Sequence, residues 1–257
     1  ANQEFDDVEL RIAAPGKDFS MELWADASEL YTLGFVSPSG EVIERIPLAV
    51  GQETTLSFRL DATRIFISYQ LTEAGSGRFL AFLRFRGPAP GIWHIRVYPA
   101  LYVTGQFHIW LPLQSFLPDD IRFLRPDPDI TITDPGNAPL LLTISTYNHV
   151  TDSLYIHSSR GFTATGQIKP DFAAPGVEVQ GPGIPPGTSR LSRQTGSSVA
   201  TAITAGAVAC LFSWGFTQGN DTTLTSISVK SILIRGAERK EAFRYPNRQW
   251  GYGTLNL

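Results

Sequence analysis

The sequence predicts an all-β first half of the sandwich or jelly-roll kind, followed by an α/β second half built on a parallel sheet. Three observations predict it. From Phe19 to about Leu113, apolar and polar residues alternate in short runs broken by turn chemistry. A Pro- and Asp-rich stretch, FLRPDPDITITDPGNAPL, then interrupts any period. Beyond it lie a continuous apolar run, LLLTISTY at 140–147, and a run of small apolar residues, SVATAITAGAVACLFSWG at 198–215. The implied division is 1–133 for the β half and 134–257 for the α/β half.

Taken in order, the runs justify themselves. In DFSMELWA a period of two puts Phe19, Met21 and Leu23 on one face, and LYTLGFVS does the same with Tyr31, Leu33 and Phe35. Pro38-Ser39-Gly40 supplies a hairpin turn. TTLSFRL, TRIFISYQL, RFLAFLRF, GIWHIRVY and GQFHIWLPL follow. About eight such strands with no helical period between them fit a sandwich or jelly roll. Trp24, Trp93 and Trp110 raise the question of a sugar platform, but their alternating strand positions favour the core. His94 and His108 fall within strands and read as ordinary sheet residues.

In the second half, LLLTISTY is apolar on both faces, as a strand of a buried parallel sheet must be. The run from residue 198 is helical in character and apolar nearly all round, which predicts burial on every side, with Cys210 a small core hydrophobe. TLTSISVKSILIRGA is amphipathic and stops at Arg235-Gly236.

Composition narrows the function classes. With 257 residues, 42% hydrophobic, 18% charged and 11% aromatic, the chain can bury sizeable cores, which excludes a disordered tail or a coiled coil. A scattered net charge of -3 offers no electrostatic reason to bind nucleic acid. No run is read as a membrane span of ~20 apolar residues, so no membrane is expected as a partner. One cysteine rules out disulfide frameworks and thiolate metal sites. Asp127, Asp129 and Asp134 lack the Gly and terminal Glu of a calcium loop, and turn formation explains them better. The first residues, ANQEFDDVEL, show no signal-peptide pattern and no starting Met, which suggests a piece of a longer protein.

The chemistry concentrates at Gly196-Ser197-Ser198, which opens the apolar helix. A serine there sits where free N–H groups and the helix dipole favour negative charge, which suits a nucleophile whose attack creates an oxyanion. Taken by itself, a serine at a helix start is more often a plain N-cap.

Its surroundings decide between the two. TGSSVATAITAGAVACLF resembles the nucleophile motif of subtilisin-like serine proteases (peptidase family S8), with Ser198 in the nucleophile's place. IKPDFAAPGVEV at 168–179 resembles the family's Lys-Pro-Asp…Ala-Pro-Gly-Val segment, and WGYGTLNL its closing strand. The likeness covers about 137–257. SPSGE, RFRGPAPGIWHIRVY and FHIWLP resemble the jelly roll inserted in the spore-germination, Csp-type branch of that family.

The resemblance implies a jelly roll followed by the C-terminal part of a subtilisin-like α/β domain, acting as a serine endopeptidase on protein or peptide substrates. It implies that the triad Asp, the triad His and the oxyanion Asn come from an N-terminal part of the same protease, because the family's order is Asp, His, Ser. The chain alone is then incomplete and inactive. His149 and His157 lie in other settings, and a triad of His157, Asp171 and Ser198 would need a rewired fold. No metal or organic cofactor enters the chemistry; structural calcium is a family feature whose ligands do not map onto this chain. A spore-associated or extracellular setting is favoured over a cytoplasmic one. Against the pattern, Ser197 stands for Thr, Ala202 and Ile203 for Pro-His, and Thr204 for an aliphatic residue. Arg190 and Arg193, near the serine, read as solvated loop charges, with a preference for acidic substrates as the sharper alternative. The alternative is a non-catalytic pseudoprotease or binding module acting through the jelly roll.

Overall fold

The structure is a computed structural model that describes residues 5–15, 17–117, 120–183 and 191–256. The chain divides into two units, Ala1–Pro126 and Asp127–Leu257. Residues 127–133, which the sequence assigned to the first half, belong by their bonds to the second. The N–H groups of Ile130 and Thr131 donate to the carbonyls of Gly161 and Arg160 at 3.3 and 2.9 Å.

The first unit contains β1 (Asp6–Ile12), β2 (Phe19–Ala25), β3 (Leu30–Val36), β4 (Val42–Ile43), β5 (Glu53–Phe58), β6 (Thr63–Gln70), β7 (Phe79–Arg86), β8 (Gly91–Leu101), β9 (Phe107–Trp110) and β10 (Ile121–Phe123). They form two five-stranded antiparallel sheets, ordered β10-β1-β8-β3-β4 and β5-β6-β7-β2-β9. Strand β2 shows why. Phe19, Met21, Leu23 and Ala25 are buried, while Ser20, Glu22 and Trp24 alternate on the outer face. Tyr31, Leu33 and Phe35 of β3 join the same core. Gly34, between them, is covered on the outer side: a Cβ there would sit 3.1 Å from both the Ile43 carbonyl oxygen and the Tyr98 ring.

Aromatic rings close this core. Phe85 stacks on Phe19 at 4.7 Å, and Trp93 meets Phe58 and Phe85 edge-on at 5.0 and 5.8 Å. Buried Trp93 donates its indole N–H to the Ala89 carbonyl, so no polar atom of the ring is stranded. Of the three tryptophans expected in the core, only Trp93 is there. Trp24 and Trp110 are half-buried on the outward positions of β2 and β9, since a period of two fixes that rings alternate but not which face is inside. His94 pairs with Asp7 at 3.0 Å, and His108 stacks on Trp110.

The second unit carries β11 (Ile144–Asn148), β12 (Ser153–Leu154), β13 (Phe172–Pro175), β14 (Val179–Pro182), β15 (Leu191–Gln194), α1 (Ser197–Phe212) and α2 (Ser226–Gly236). The sheet order is β12-β11-β13, with β11 and β13 parallel and β12 antiparallel, and β14–β15 form a separate hairpin. Residues 251–255 lie against β13, where the Ala173 N–H donates to Gly253 and its carbonyl accepts from Leu255. A smaller core gathers Phe172, Leu224, Val229 and Leu233. Helix α2 opens with a capping box in which the hydroxyls of Thr225 and Ser228 accept from each other's backbone N–H groups.

Two expectations fail here. The strand of LLLTISTY begins only at Ile144, and Leu140 and Leu141 are exposed at 72% and 44%. Helix α1 is not buried on every side: Ala200, Thr204 and Ala207 are covered, a single stripe at helical spacing that faces β11 and β13. The remaining residues, Cys210 among them, are half-buried or exposed. With the π-helical turn Ser213–Thr217, this segment is long and apolar enough to cross a membrane by length and composition, contrary to the expectation that no run reaches that length. Of its most apolar window, 22% is buried, along the stripe that faces β11 and β13.

Candidate active site

Ser198 is the second residue of α1 and is exposed. The helix start has no side-chain cap. Gly196 occupies the N-cap, and its carbonyl accepts from Val199 and Ala200 at 3.1 and 3.4 Å. Among the described residues, the backbone N–H groups of Ser197 and Ser198 have no acceptor. Two donors therefore stand open at the positive end of a 16-residue helix, one of them on Ser198 itself.

The Ala-Pro-Gly run positions that helix end. Gly176, just past β13, donates its N–H to the Tyr147 carbonyl and accepts from the Gly196 N–H at 2.8 Å. A Cβ at Gly176 would collide with Thr146 and the Gly196 carbonyl, so only glycine lets strand and helix approach this closely. Thr204 donates to the Ala200 carbonyl at 3.0 Å, which satisfies the one buried hydroxyl of α1.

Behind the site lies a buried charge cluster. One Asp171 oxygen accepts from the Lys169 ammonium at 2.9 Å and the Thr143 N–H at 2.8 Å; the other accepts from the Lys230 ammonium at 2.8 Å. Both lysines also donate to the Leu141 carbonyl. Burial pushes the Lys169 ammonium down from its usual range, opposed by the carboxylate and helped by the second ammonium. The cluster ties the 139–143 segment to β13 and α2. It engages both oxygens of Asp171, and among the described residues no histidine bonds to them. His157 is exposed, its ring edge-on to Tyr155 at 5.2 Å. Among the described residues, no hydrogen bond links His157, Asp171 and Ser198 to one another.

A cleft of about 370 Å³ opens beside the first turn of α1, between Ser197, Thr201, Ile144 and the segments 132–136 and 157–159. Ser198 itself does not line it. Arg193 is exposed and 4.0 Å from Glu178, while Arg190 lies outside the described residues. Asp127 accepts from the Asp129 N–H, Asp129 pairs with Arg248, and Asp134 accepts from Asn137. These are turn and surface bonds. Sequence reasoning missed Lys230 as the second cation on Asp171. Its signal was a lysine within the otherwise apolar face of an amphipathic helix.

Residues 126–253 match the model of the subtilase family, peptidase S8. The structure is similar to that of the CspB protease of Clostridium perfringens, with 25% identity and a TM-score of 0.87 over 98% of this chain and 53% of that one. The chain thus spans about half the length of that relative. A second solved structure, the prenylagaramide maturation protease PagA, is 22% identical with a TM-score of 0.41, over 51% of this chain and 44% of its own. No curated protein matches. The family match places subtilase character in the second unit: residues 126–253 belong to the subtilisin-like proteases, and the chain as a whole is similar in structure to a Csp-type member of that family.

Proposed function

We propose that the chain is the serine-bearing part of an endopeptidase that cleaves peptide bonds in protein substrates, with Ser198 the nucleophile. The observation that carries this reading is the open start of α1, where, among the described residues, the N–H groups of Ser197 and of exposed Ser198 have no acceptor. Ser198 Oγ would bond to the substrate carbonyl carbon as its proton passes to a histidine, which returns it to the leaving amine; water then repeats the cycle on the acyl-enzyme. The Ser198 N–H, with an asparagine side chain, would hold the oxyanion.

The triad Asp and His, and that Asn, would come from an N-terminal part of the same protease, which is the partner this reading requires. Asp171 is held by Lys169, Lys230 and the Thr143 N–H with no histidine among its described partners, which supports an external source. The chain alone would then be inactive. The chemistry needs no metal or organic cofactor. The Csp-type likeness supports a spore-associated or extracellular setting.

A fluorophosphonate probe applied to the full-length protein tests this reading. Ser198 should label, and Ser198→Ala should abolish the label. The self-contained core of the first unit favours a second reading, a pseudoprotease that binds through its jelly roll. An unlabelled Ser198 in folded full-length protein would transfer the function there.

A further inference from the structure

A second cleft of the C-terminal unit, about 480 Å³, lies apart from Ser198 and has an unusual charge balance. Arg160, Arg244 and Arg248 line it, with Asp129 its one acid. Three guanidiniums against one carboxylate leave a formal +2 there, on a chain whose net charge is -3. Among the described residues, the Arg160 and Arg244 side chains have no acidic partner. Arg248 spends one nitrogen on Asp129 at 3.0 Å, with its plane over Phe162 at 5.7 Å.

The backbone that bears these arginines is fixed. Arg160 and Thr131 exchange two hydrogen bonds at 2.9 Å, and the Gly161 N–H donates to the Arg248 carbonyl at 2.8 Å. Asn247 builds the turn between the other two. Its amide nitrogen donates to the Arg244 carbonyl, and its oxygen accepts from the Gln249 and Trp250 N–H groups. Guanidiniums held this way are forks with little backbone entropy left to lose on binding, and a planar fork matches a carboxylate or phosphate with two parallel hydrogen bonds.

We infer that this cleft binds a polypeptide segment through its oxyanions, with Arg160 and Arg244 as the recognising groups and Arg248 partly held back by Asp129. The site is independent of the serine reading. Acidic side chains and phosphorylated residues present the same chemistry, and the experiment separates them.

Fluorescence anisotropy of fluorescein-labelled hexaglutamate on the full chain provides the test, with hexaserine as control and a phosphoserine hexapeptide as competitor. Hexaglutamate should bind and weaken with added salt, and R160Q/R244Q should weaken it by about tenfold or more. D129N should tighten binding severalfold by releasing Arg248. Both variants change groups on the molecule's surface, and unchanged thermal unfolding would show that they fold. A phosphoserine peptide that competes better, and only when the arginines are present, would make phosphate the source of the oxyanion. Absence of hexaglutamate and phosphopeptide binding, or equal binding by R160Q/R244Q, would overturn the inference.

Discussion

The two units solve the same problem with different completeness. In the first, two five-stranded sheets face each other, and Leu10, Leu23, Leu33, Phe35, Ile65, Phe79, Phe85 and Trp93 are wholly buried. In the second, the most apolar element, α1, covers one stripe against β11 and β13 and leaves most of its surface unpartnered. A helix of small residues is suited to lie between layers, where close approach replaces large side chains. The contrast teaches that hydrophobic character states what an element is fit for, while burial depends on which neighbours the chain supplies.

The largest expected effect tests the closed core. Trp93→Ala removes a ring held by two aromatic neighbours and a hydrogen bond, and should cost about 3–5 kcal/mol of the first unit's stability. Urea unfolding, followed by a probe in each unit, would read it. A second-unit transition that shifts as far as the first would show the two are not separate in stability.

Next comes the buried charge cluster of the second unit. Asp171→Asn leaves two ammonium groups facing each other without their shared counter-charge, Lys169 at 2% side-chain exposure and Lys230 at 19%. Breaking a buried pair by removing one partner costs about 3–5 kcal/mol, and the partial exposure of Lys230 puts this case at about 3. The 139–143 segment should loosen first, visible as faster amide exchange at Thr143, whose N–H bonds to Asp171. Unchanged exchange there would mean the segment is held by its other bonds.

A smaller effect comes from Glu29, a buried carboxylate in the first unit. It accepts from the N–H groups of Val103, Thr104 and Gly105 and from the hydroxyls of Thr104 and Tyr31. Burial alone would raise its pKa, but these donors outweigh it and hold the group at about 2, below the ordinary 4.5. A carboxylate depressed in the folded state stabilises fully above its unfolded pKa and loses that contribution as pH falls through the folded value. Glu29 should therefore contribute its full stabilisation above about pH 4.5 and lose it progressively toward pH 2. Glu29→Gln should cost about 2 kcal/mol at neutral pH and flatten this limb in thermal unfolding. A variant as acid-sensitive as the parent would remove Glu29 from the account.

What the sequence made legible follows the range over which each signal acts. Alternation is local, so the faces of β2 and β3 were readable, and the Ser198 helix start was readable from its own small residues. Glu29 was not, because all but one of the groups that bond it, those of Val103, Thr104 and Gly105, lie beyond the six strands β3 to β8. The arginine cleft joins Arg160 to Arg244 and Arg248 through turns with no period. Tryptophan placement failed for Trp24 and Trp110 because a period of two is blind to which face is inward. The truncated strand at Ile144 has a different cause. The Leu141 carbonyl that would extend the strand is taken by Lys169 and Lys230, and a sheet pattern carries no trace of two lysines arriving from elsewhere.

The smallest energetic effect discriminates best between the units. Cys210 sits in the apolar run where the sequence predicted a core thiol, yet it is exposed on α1. Cys210→Ser should change the stability of this chain by no more than about 0.5 kcal/mol, as an exposed substitution does. The same thiol reports on coverage, because alkylation requires access. In this chain alone, iodoacetamide should modify Cys210 at a rate close to that of an unfolded thiol. In the full-length protein, if an N-terminal part packs on α1 as the proposed protease requires, the rate should fall by orders of magnitude. Equal rates would mean that the face of α1 stays open in the whole molecule, and the layered domain needed to bring a histidine to Ser198 would have no place to assemble.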